Sequence, residues 1–336
     1  MKHGLVWVFG TMAATIVLLH ADAAGLASAW AADIAPHRAL YTMSLGQTHG
    51  DAGVTGAGGT MAYQWGESCD GWTVEQRYRL KMGYAESADV SIASNFVTWE
   101  AKDGLRYRFN QKETRNGTDS DEIRGEAKLD GPDKGGAVEF EKPQPKSLRL
   151  PAGVLFPSAH TIFLIDKAQA GENFISRQIF DGATVESAVL VSAVIGARVE
   201  PDADAAKKSP LLNRPGWRVR LAFFPADQKA EKPDYELGML LLDNGVSRDM
   251  VIDYGEYSIR AKLDDIEALP KPGCCAMASA GGNTVAPGCA PAPGRVSASS
   301  SKACASAPLA KAAAGACTAL PRPRIWLVPP GPVRSA

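Results

Sequence analysis

Reactive side chains are scarce in most of this sequence. Cys69 is the only cysteine among the first 270 residues, and the histidines beyond the N-terminal segment are His37, His49 and His160. The remaining cysteines lie near the C-terminus: Cys274, Cys275, Cys289, Cys304 and Cys317. A thiol nucleophile needs a neighbouring base, and a zinc site needs cysteine or histidine pairs about two to four residues apart. Neither pattern surrounds Cys69, so we expect no catalytic residue, no metal site and no cofactor.

An excess of charge of either sign is also missing. The chain has 36 lysines and arginines against 37 aspartates and glutamates, so it has no electrostatic reason to bind nucleic acid. Acidic residues are absent from residue 276 onward, where several lysines and arginines remain. This basic C-terminal segment is a candidate for contact with anionic lipid or the cell wall.

Long apolar runs are confined to the N-terminus. Residues 5–19, LVWVFGTMAATIVLL, follow a short basic start and precede a series of small residues. This arrangement is typical of a secretory signal peptide, and the run is shorter than the roughly 20 residues that a membrane span requires. We assign residues 1–32 to the signal peptide and expect a soluble exported protein. In an oxidising compartment its cysteines are expected to form crosslinks.

Most of the chain alternates between apolar and polar residues with a period of two. The clearest runs are residues 59–65, 72–82, 105–111 and 217–224, and Asp-Gly or Asn-Gly pairs stand between several of them. Alternation favours half-buried strands, and these pairs favour tight hairpin turns. The pattern predicts on the order of a dozen strands in an antiparallel sheet that closes or coils on itself.

One segment, residues 155–172, breaks this period. Pro157 stands near the first helical position and Gly171 just past the last one, which predicts a helix of about three to four turns. His160 lies inside this helix, where we expect a structural histidine with satisfied hydrogen bonds. A single helix in an all-β chain often plugs or covers an open end of the sheet.

The composition changes near the C-terminus. Residues 276–336 are dominated by Ala, Pro, Gly and Ser and are nearly free of aromatic side chains. Such a segment buries too little apolar surface to offset its ordering entropy, so we predict that it is disordered. The folded domain is expected to span residues 33–275.

A crosslink is the best explanation of the isolated Cys69. The residue precedes Asp-Gly in a predicted turn, while Cys274 and Cys275 follow the last predicted strand. Joining these regions would close a loop of about 200 residues, and such bridges typically contribute about 2–4 kcal/mol. We expect the bridge to lie across the seam of the coiled sheet and to hold its exposed edges together. The residues alone do not decide whether Cys274 or Cys275 pairs with Cys69. We slightly prefer Cys274, because it follows Gly273 directly.

Tryptophan and tyrosine occur within the alternating runs. Trp65, Trp72, Tyr78 and Trp99 are expected to belong to the core, because aromatic residues at period two usually pack inside. The alternative is that Trp65, Trp72 and Trp99 line a concave face that binds a ligand or a protein partner.

Several separate motifs form a recognisable set. They are APHRALYTMSL (35–45), CDGW (69–72), WEAKDGLRYRFN (99–110), LRLPAGVLFPSAHTIFLI (148–165), IFDGA (179–183) and LLLDNGVSRDMVIDYGEYSIRAKLDDIEAL (240–269). Together they resemble the EipB family, periplasmic cell-envelope integrity proteins of alphaproteobacteria. The resemblance implies an all-β fold, an open, barrel-like β-spiral of many antiparallel strands with one or two short helices. It also implies a disulfide from Cys69 to Cys274 or Cys275, and an envelope role under stress without an established enzyme activity.

Three functions are weighed on this basis. The leading hypothesis is a non-enzymatic periplasmic protein that maintains envelope integrity and stress resistance as a scaffold or binding protein, with an envelope protein as its partner. The alternative is a periplasmic carrier of lipid or another amphiphile, with the helix as a lid. An enzyme is disfavoured because the candidate acids are scattered and no motif assigns a nucleophile, base or metal. These acids are Asp243, Asp249, Asp253 and Glu256.

Overall fold

The computed structural model describes the chain in three stretches, residues 32–50, 53–225 and 231–274. The predicted signal peptide up to residue 31, the predicted disordered tail and Cys275 lie outside the described residues. No helix in the described stretches is long and apolar enough to cross a membrane.

The alternation in the sequence forms fourteen strands in one antiparallel sheet. In the first strand, His37, Ala39, Tyr41 and Met43 are buried and the residues between them are exposed, because successive side chains point to opposite faces. The strands are β1 His37–Thr48, β2 Val54–Glu67, β3 Gly71–Tyr84, β4 Val90–Ala101, β5 Arg106–Arg115, β6 Asp119–Leu129, β7 Gly136–Lys142, β8 Lys146–Leu150, β9 Phe174–Ile179, β10 Val189–Val199, β11 Gly216–Phe224, β12 Tyr235–Leu242, β13 Ser247–Asp253 and β14 Tyr257–Ala268. The predicted all-β antiparallel architecture is confirmed.

Two short α-helices accompany the sheet. Helix α1 spans Pro157–Gln169 and helix α2 spans Ala203–Lys208, followed by a 3₁₀ turn at Pro210–Leu212. Helix α1 starts with Pro157 in its first turn, and just beyond its end Gly171 has a φ of 81°. Both features match the start and stop signals in the sequence, and the predicted helix is confirmed.

The two ends of the described chain pair with each other. Strand β1 lies between β2 and the last strand, β14, so that His37 stands opposite both Trp65 and Ala268. The order across the sheet therefore runs from β8 down to β1 and then from β14 down to β9. The two free edges, β8 and β9, come from the middle of the chain, where helix α1 connects them.

The segment between β8 and α1 lies along the edge of β9. The Leu155 N–H donates to the Gln178 carbonyl oxygen at 2.9 Å, and the Phe180 N–H donates to the Leu155 carbonyl oxygen at 3.0 Å. These bonds form an isolated parallel bridge between Leu155 and Ile179. The sheet is open in its strand order, but backbone hydrogen bonds cover part of one edge and limit its exposure.

A disulfide joins Cys69 and Cys274, whose Cα atoms are 5.5 Å apart. Cys69 lies in the turn between β2 and β3, and Cys274 follows β14, so the bond spans the start of β1. The expectation that a bridge would lie across the seam is wrong. The chain ends pair directly with each other, and the free edges arise at β8 and β9 instead.

We expect Cys69→Ser to lower the free energy of unfolding by about 2–4 kcal/mol, because the bond links residues separated by 205 positions and restricts the unfolded chain. Urea denaturation measures the change, and Cys274→Ser should reproduce it. Cys275→Ser is the matched control and should retain full stability. A Cys275→Ser protein as unstable as Cys69→Ser, or a non-reducing peptide map of the parent protein that links Cys69 to Cys275, would contradict this pairing.

Candidate functional site

A cavity of about 220 Å³, partly open to solvent, lies where three buried apolar clusters meet. Tyr41, Trp65 and Phe96 each belong to a different cluster, and all three line the cavity. The lining comes from β1–β5 on one arm of the sheet, from β11–β13 on the other, and from helix α1. Coiling of the sheet therefore brings residues that are distant in sequence around one space.

The wall formed by β11 and β12 is apolar and incompletely packed. Phe223, Tyr235, Leu237 and Met239 line the cavity and are only partly buried. The rings of Phe223 and Tyr235 stack with their centroids 4.4 Å apart. Protein interiors rarely leave voids larger than a water molecule. A space bounded by partly exposed apolar side chains is therefore suited to an apolar ligand.

Gln76 places a polar group in this apolar cavity. Its side chain lines the cavity and is 6% exposed. In the sheet it stands in register between Tyr63 of β2 and Phe96 of β4. Its Nε2 amide nitrogen has no hydrogen-bond partner among the described residues. Because a buried donor without a partner is destabilising, this amide is available to a polar atom inside the cavity.

Trp65 and His160 contribute two more nitrogens of this kind. They are 3% and 7% exposed and both line the cavity. Within the described part of the chain, neither Trp65 Nε1 nor His160 Nε2 has a hydrogen-bond partner. Burial, reinforced by the positive charge of Arg177, lowers the pKa of His160 to about 4, so its imidazole is neutral at pH 7. The expectation of a satisfied structural histidine is wrong at this position, because the ring lines the cavity.

Among the described residues, the cavity lining contains an acid but no lysine or arginine. Burial raises the pKa of Asp181, whose carboxylate accepts a hydrogen bond from the Ala183 N–H at 3.0 Å. Two lining hydroxyl groups donate to backbone carbonyl oxygens, that of Tyr107 to Asp181 at 2.7 Å and that of Tyr41 to Ser247 at 2.8 Å. These hydroxyl hydrogens are already engaged within the protein, and the lining carries no positive charge.

Helix α1 forms one wall and is held there by a carboxylate of β4. The buried Glu100 accepts hydrogen bonds from the N–H groups of Ser158 and Ala159, both at 2.7 Å. A helix start leaves these N–H groups without intrahelical partners, and Phe156 at the N-cap supplies no side-chain bond. Glu100 therefore fixes the end of the helix that presents His160 to the cavity.

The three tryptophans considered as one binding face are divided between two faces of the sheet. Trp65 lines the cavity, and Trp72 packs against it with perpendicular rings whose centroids are 6.1 Å apart. Trp99 lies on the opposite face of its strand, where the guanidinium groups of Arg106 and Arg108 lie 5.5 and 5.2 Å from its ring centre. The structure brings Trp65 and Trp72 together and leaves Trp99 outside.

The acids considered for an enzyme do not converge on the cavity. Asp243 forms an ion pair with Arg214 at 2.7 Å, and Asp253 lies 3.5 Å from Arg220. In the described residues, no group of three or more His, Cys, Asp or Glu side chains is arranged to hold a metal ion.

Sequence reasoning missed Gln76 and Glu100. Gln76 could have been found from the sequence. Every second residue of β3 from Trp72 to Met82 faces inward, and Gln76 is the one strongly polar residue among them. Glu100 could not have been found in this way. The inward positions of β4 also include the polar residues Ser94 and Thr98, so Glu100 does not stand out among them.

The body of the chain matches a known protein family. The model of the EipB-like family covers residues 28–270. The chain belongs to the EipB-like family. A relative of this EipB-like chain is the cell envelope integrity protein EipB of Brucella abortus (strain 2308), which is 31% identical over 267 residues, covering 77% of this chain and 94% of the relative. The resemblance seen in the sequence motifs is confirmed.

The fold is shared with a solved structure. The crystal structure of a beta-barrel-like protein of domain of unknown function DUF1849, from Brucella abortus, aligns with a TM-score of 0.66 and 30% sequence identity. The alignment covers 71% of this EipB-like chain and 100% of that chain. The coiled antiparallel sheet is therefore the common scaffold around which the cavity is built.

Glu100 gives the stability a pH dependence of defined sign. Burial raises the pKa of its carboxyl group from 4.5 to about 7, although the N–H groups of Ser158 and Ala159 oppose this shift. Between about pH 4.5 and pH 7, the folded protein keeps the proton of the Glu100 carboxyl group, whereas the unfolded chain loses it. The contribution of Glu100 to stability therefore falls by about 3 kcal/mol as the pH rises from 4.5 to 7.

We expect the stability advantage of the parent protein over Glu100→Gln to shrink by most of this amount between about pH 5 and pH 8. Urea denaturation of both proteins across the range measures the difference. Burial lowers the pKa of His37 and His160 to about 4, which gives a dependence of opposite sign that is common to both proteins and cancels. A difference that stays constant over the range would contradict the prediction.

Proposed function

We propose that this protein is a non-enzymatic binding protein of the periplasm that maintains cell-envelope integrity, and that its ligand, a lipid or another amphiphile, occupies the interior cavity. The cavity is the observation that carries the proposal, because it combines an apolar wall with buried, unpartnered nitrogens. The envelope role is supported by the relative named cell envelope integrity protein EipB.

Two features support a location outside the cytoplasm. Disulfides persist in oxidising compartments and are rare in the cytosol. A bond between Cys69 and Cys274 would contribute to stability only in such a compartment. The apolar run at residues 5–19 has the composition of an export signal.

The chemistry of the cavity favours binding over catalysis. Burial lowers the pKa of His160 to about 4, so its imidazole is a weak base at pH 7. Glu100 is engaged by the start of helix α1. Cys69, the isolated thiol of the sequence, is bonded to Cys274. Glu100 and Cys69 thus have structural partners, whereas catalysis would require a nucleophile and its base.

We expect deletion of the gene to sensitise cells to detergents and cell-wall antibiotics, and the parent gene to restore resistance. Leu237→Trp should restore little, because the larger side chain fills the cavity from the β12 wall. Leu40→Trp, at an exposed position of β1, is the matched control and should restore resistance fully. Minimal inhibitory concentrations measure the effect, and thermal unfolding of both variants shows that they fold. Full rescue by a folded Leu237→Trp protein would contradict a role for the cavity.

A second candidate function, a scaffold for an envelope protein, is favoured by one surface. Phe174 of the edge strand β9 is 58% exposed and stands opposite Val194 of β10, which is 56% exposed. Leu190, which is 42% exposed, lies on the same face of β10, beyond Ser192. Exposed apolar side chains beside a free strand edge are typical of surfaces that bind another chain.

We expect the double variant Phe174→Ser and Val194→Ser to distinguish the two candidates. A scaffold needs this surface, so the variant would fail to restore detergent resistance while keeping its melting temperature. If the cavity carries the function, the variant restores resistance like the parent protein. The same complementation assay as for Leu237→Trp measures both outcomes.

A further inference from the structure

The size of the cavity limits the ligand that it can enclose. Pockets for drug-sized ligands have volumes of about 300–1,000 Å³. The cavity, at about 220 Å³, is smaller than this range. A lipid with two or more acyl chains is too large to be enclosed, whereas one chain or part of one chain fits. The apolar side chains of β11 and β12, among them Leu221, Leu237 and Met239, supply the surface for such a chain.

The hydrogen-bonding character of the cavity defines the polar end of the ligand. The indole Nε1 of Trp65 and the amide Nε2 of Gln76 can only donate hydrogen bonds, and neither has an acceptor among the described residues. Both side chains line the cavity on neighbouring strands, β2 and β3. A ligand that satisfies them must therefore present acceptor oxygens, such as those of a carbonyl, ester or hydroxyl group.

The charges around the cavity argue against an anionic ligand, and a cationic head group without acceptor atoms would leave Trp65 Nε1 and Gln76 Nε2 unpartnered. Among the described residues, the lining has no lysine or arginine, and its one carboxyl group belongs to Asp181. Arg177, whose positive charge acts on His160, is exposed, and its guanidinium group lies 4.8 Å from the ring centre of Phe163. An anionic head group would be buried without a counter-charge, which is strongly unfavourable.

We infer that the cavity binds an uncharged amphiphile with a single alkyl or acyl chain, whose carbonyl or hydroxyl oxygens accept hydrogen bonds from Gln76 and Trp65. The inference rests on the proposed function, because both require the cavity to be the binding site. It adds the class of ligand. The volume of the cavity allows one chain, and the donors Gln76 and Trp65 require acceptor oxygens on the ligand. An anion is disfavoured because the described lining has no lysine or arginine.

Calorimetric titration with three ligands that share a ten-carbon chain tests the inference. The probes are 1-decanoylglycerol, decyl sulfate and decyltrimethylammonium, each used as a monomer below its micellar concentration. We expect 1-decanoylglycerol to bind at least about tenfold more tightly than either charged probe. Equal or tighter binding of a charged probe overturns the inferred ligand class but leaves the cavity as a binding site. The absence of binding by all three probes overturns both.

Two variants test the role of the donors. Gln76→Leu and Trp65→Phe should each weaken the binding of 1-decanoylglycerol about fivefold or more, because each removes one donor and keeps much of the apolar volume. Gln111→Leu is the matched control, because Gln111 lies in register beside Phe96 and is buried but does not line the cavity. It should bind like the parent protein. Equal losses in Gln76→Leu and Gln111→Leu, or unchanged affinity in both donor variants, would overturn the inference.

Discussion

Pairing of β1 with β14 is the constraint on which the architecture depends. It joins the first and last strands in the middle of the sheet, from His37 opposite Ala268 to Thr48 opposite Tyr257. The remaining strands then follow as two arms of consecutive hairpins, which end at β8 and β9. Any antiparallel sheet built in this way must be interrupted in the middle of the chain. That interruption is where the sequence leaves its period of two and forms helix α1.

The helix at this interruption forms one wall of the cavity. Its start is fixed by the carboxylate of Glu100, and its side chains Leu164 and Ile165 join the cluster formed with β9–β11. It fills part of the interior between the two arms, and the cavity remains beside it. Two of the polar residues that face inward, Gln76 and Glu100, lie on neighbouring strands. Gln76 lines the cavity and Glu100 binds the start of this helix.

Much of the fold was predictable from local pattern, and much of the site was not. Alternation and Asp-Gly turns identified runs such as 72–82 and 217–224 because these signals depend only on neighbouring residues. The direction in which a strand faces depends on the rest of the sheet. In β4, the apolar Val97 and Trp99 face outward while Glu100 is buried, because Glu100 meets the helix start. The position of the seam likewise depends on which strands pair at long range.

The pairing of the first strand with the last also determines when the sheet can be completed. During synthesis, which starts at the N-terminus, β1 has only β2 as a neighbour until residues up to 268 have emerged. Contacts between such distant segments form slowly, and the unpaired edge of β1 stays exposed meanwhile. The arm from β1 to β8 can assemble early, but the interior can be enclosed only after the whole domain has emerged.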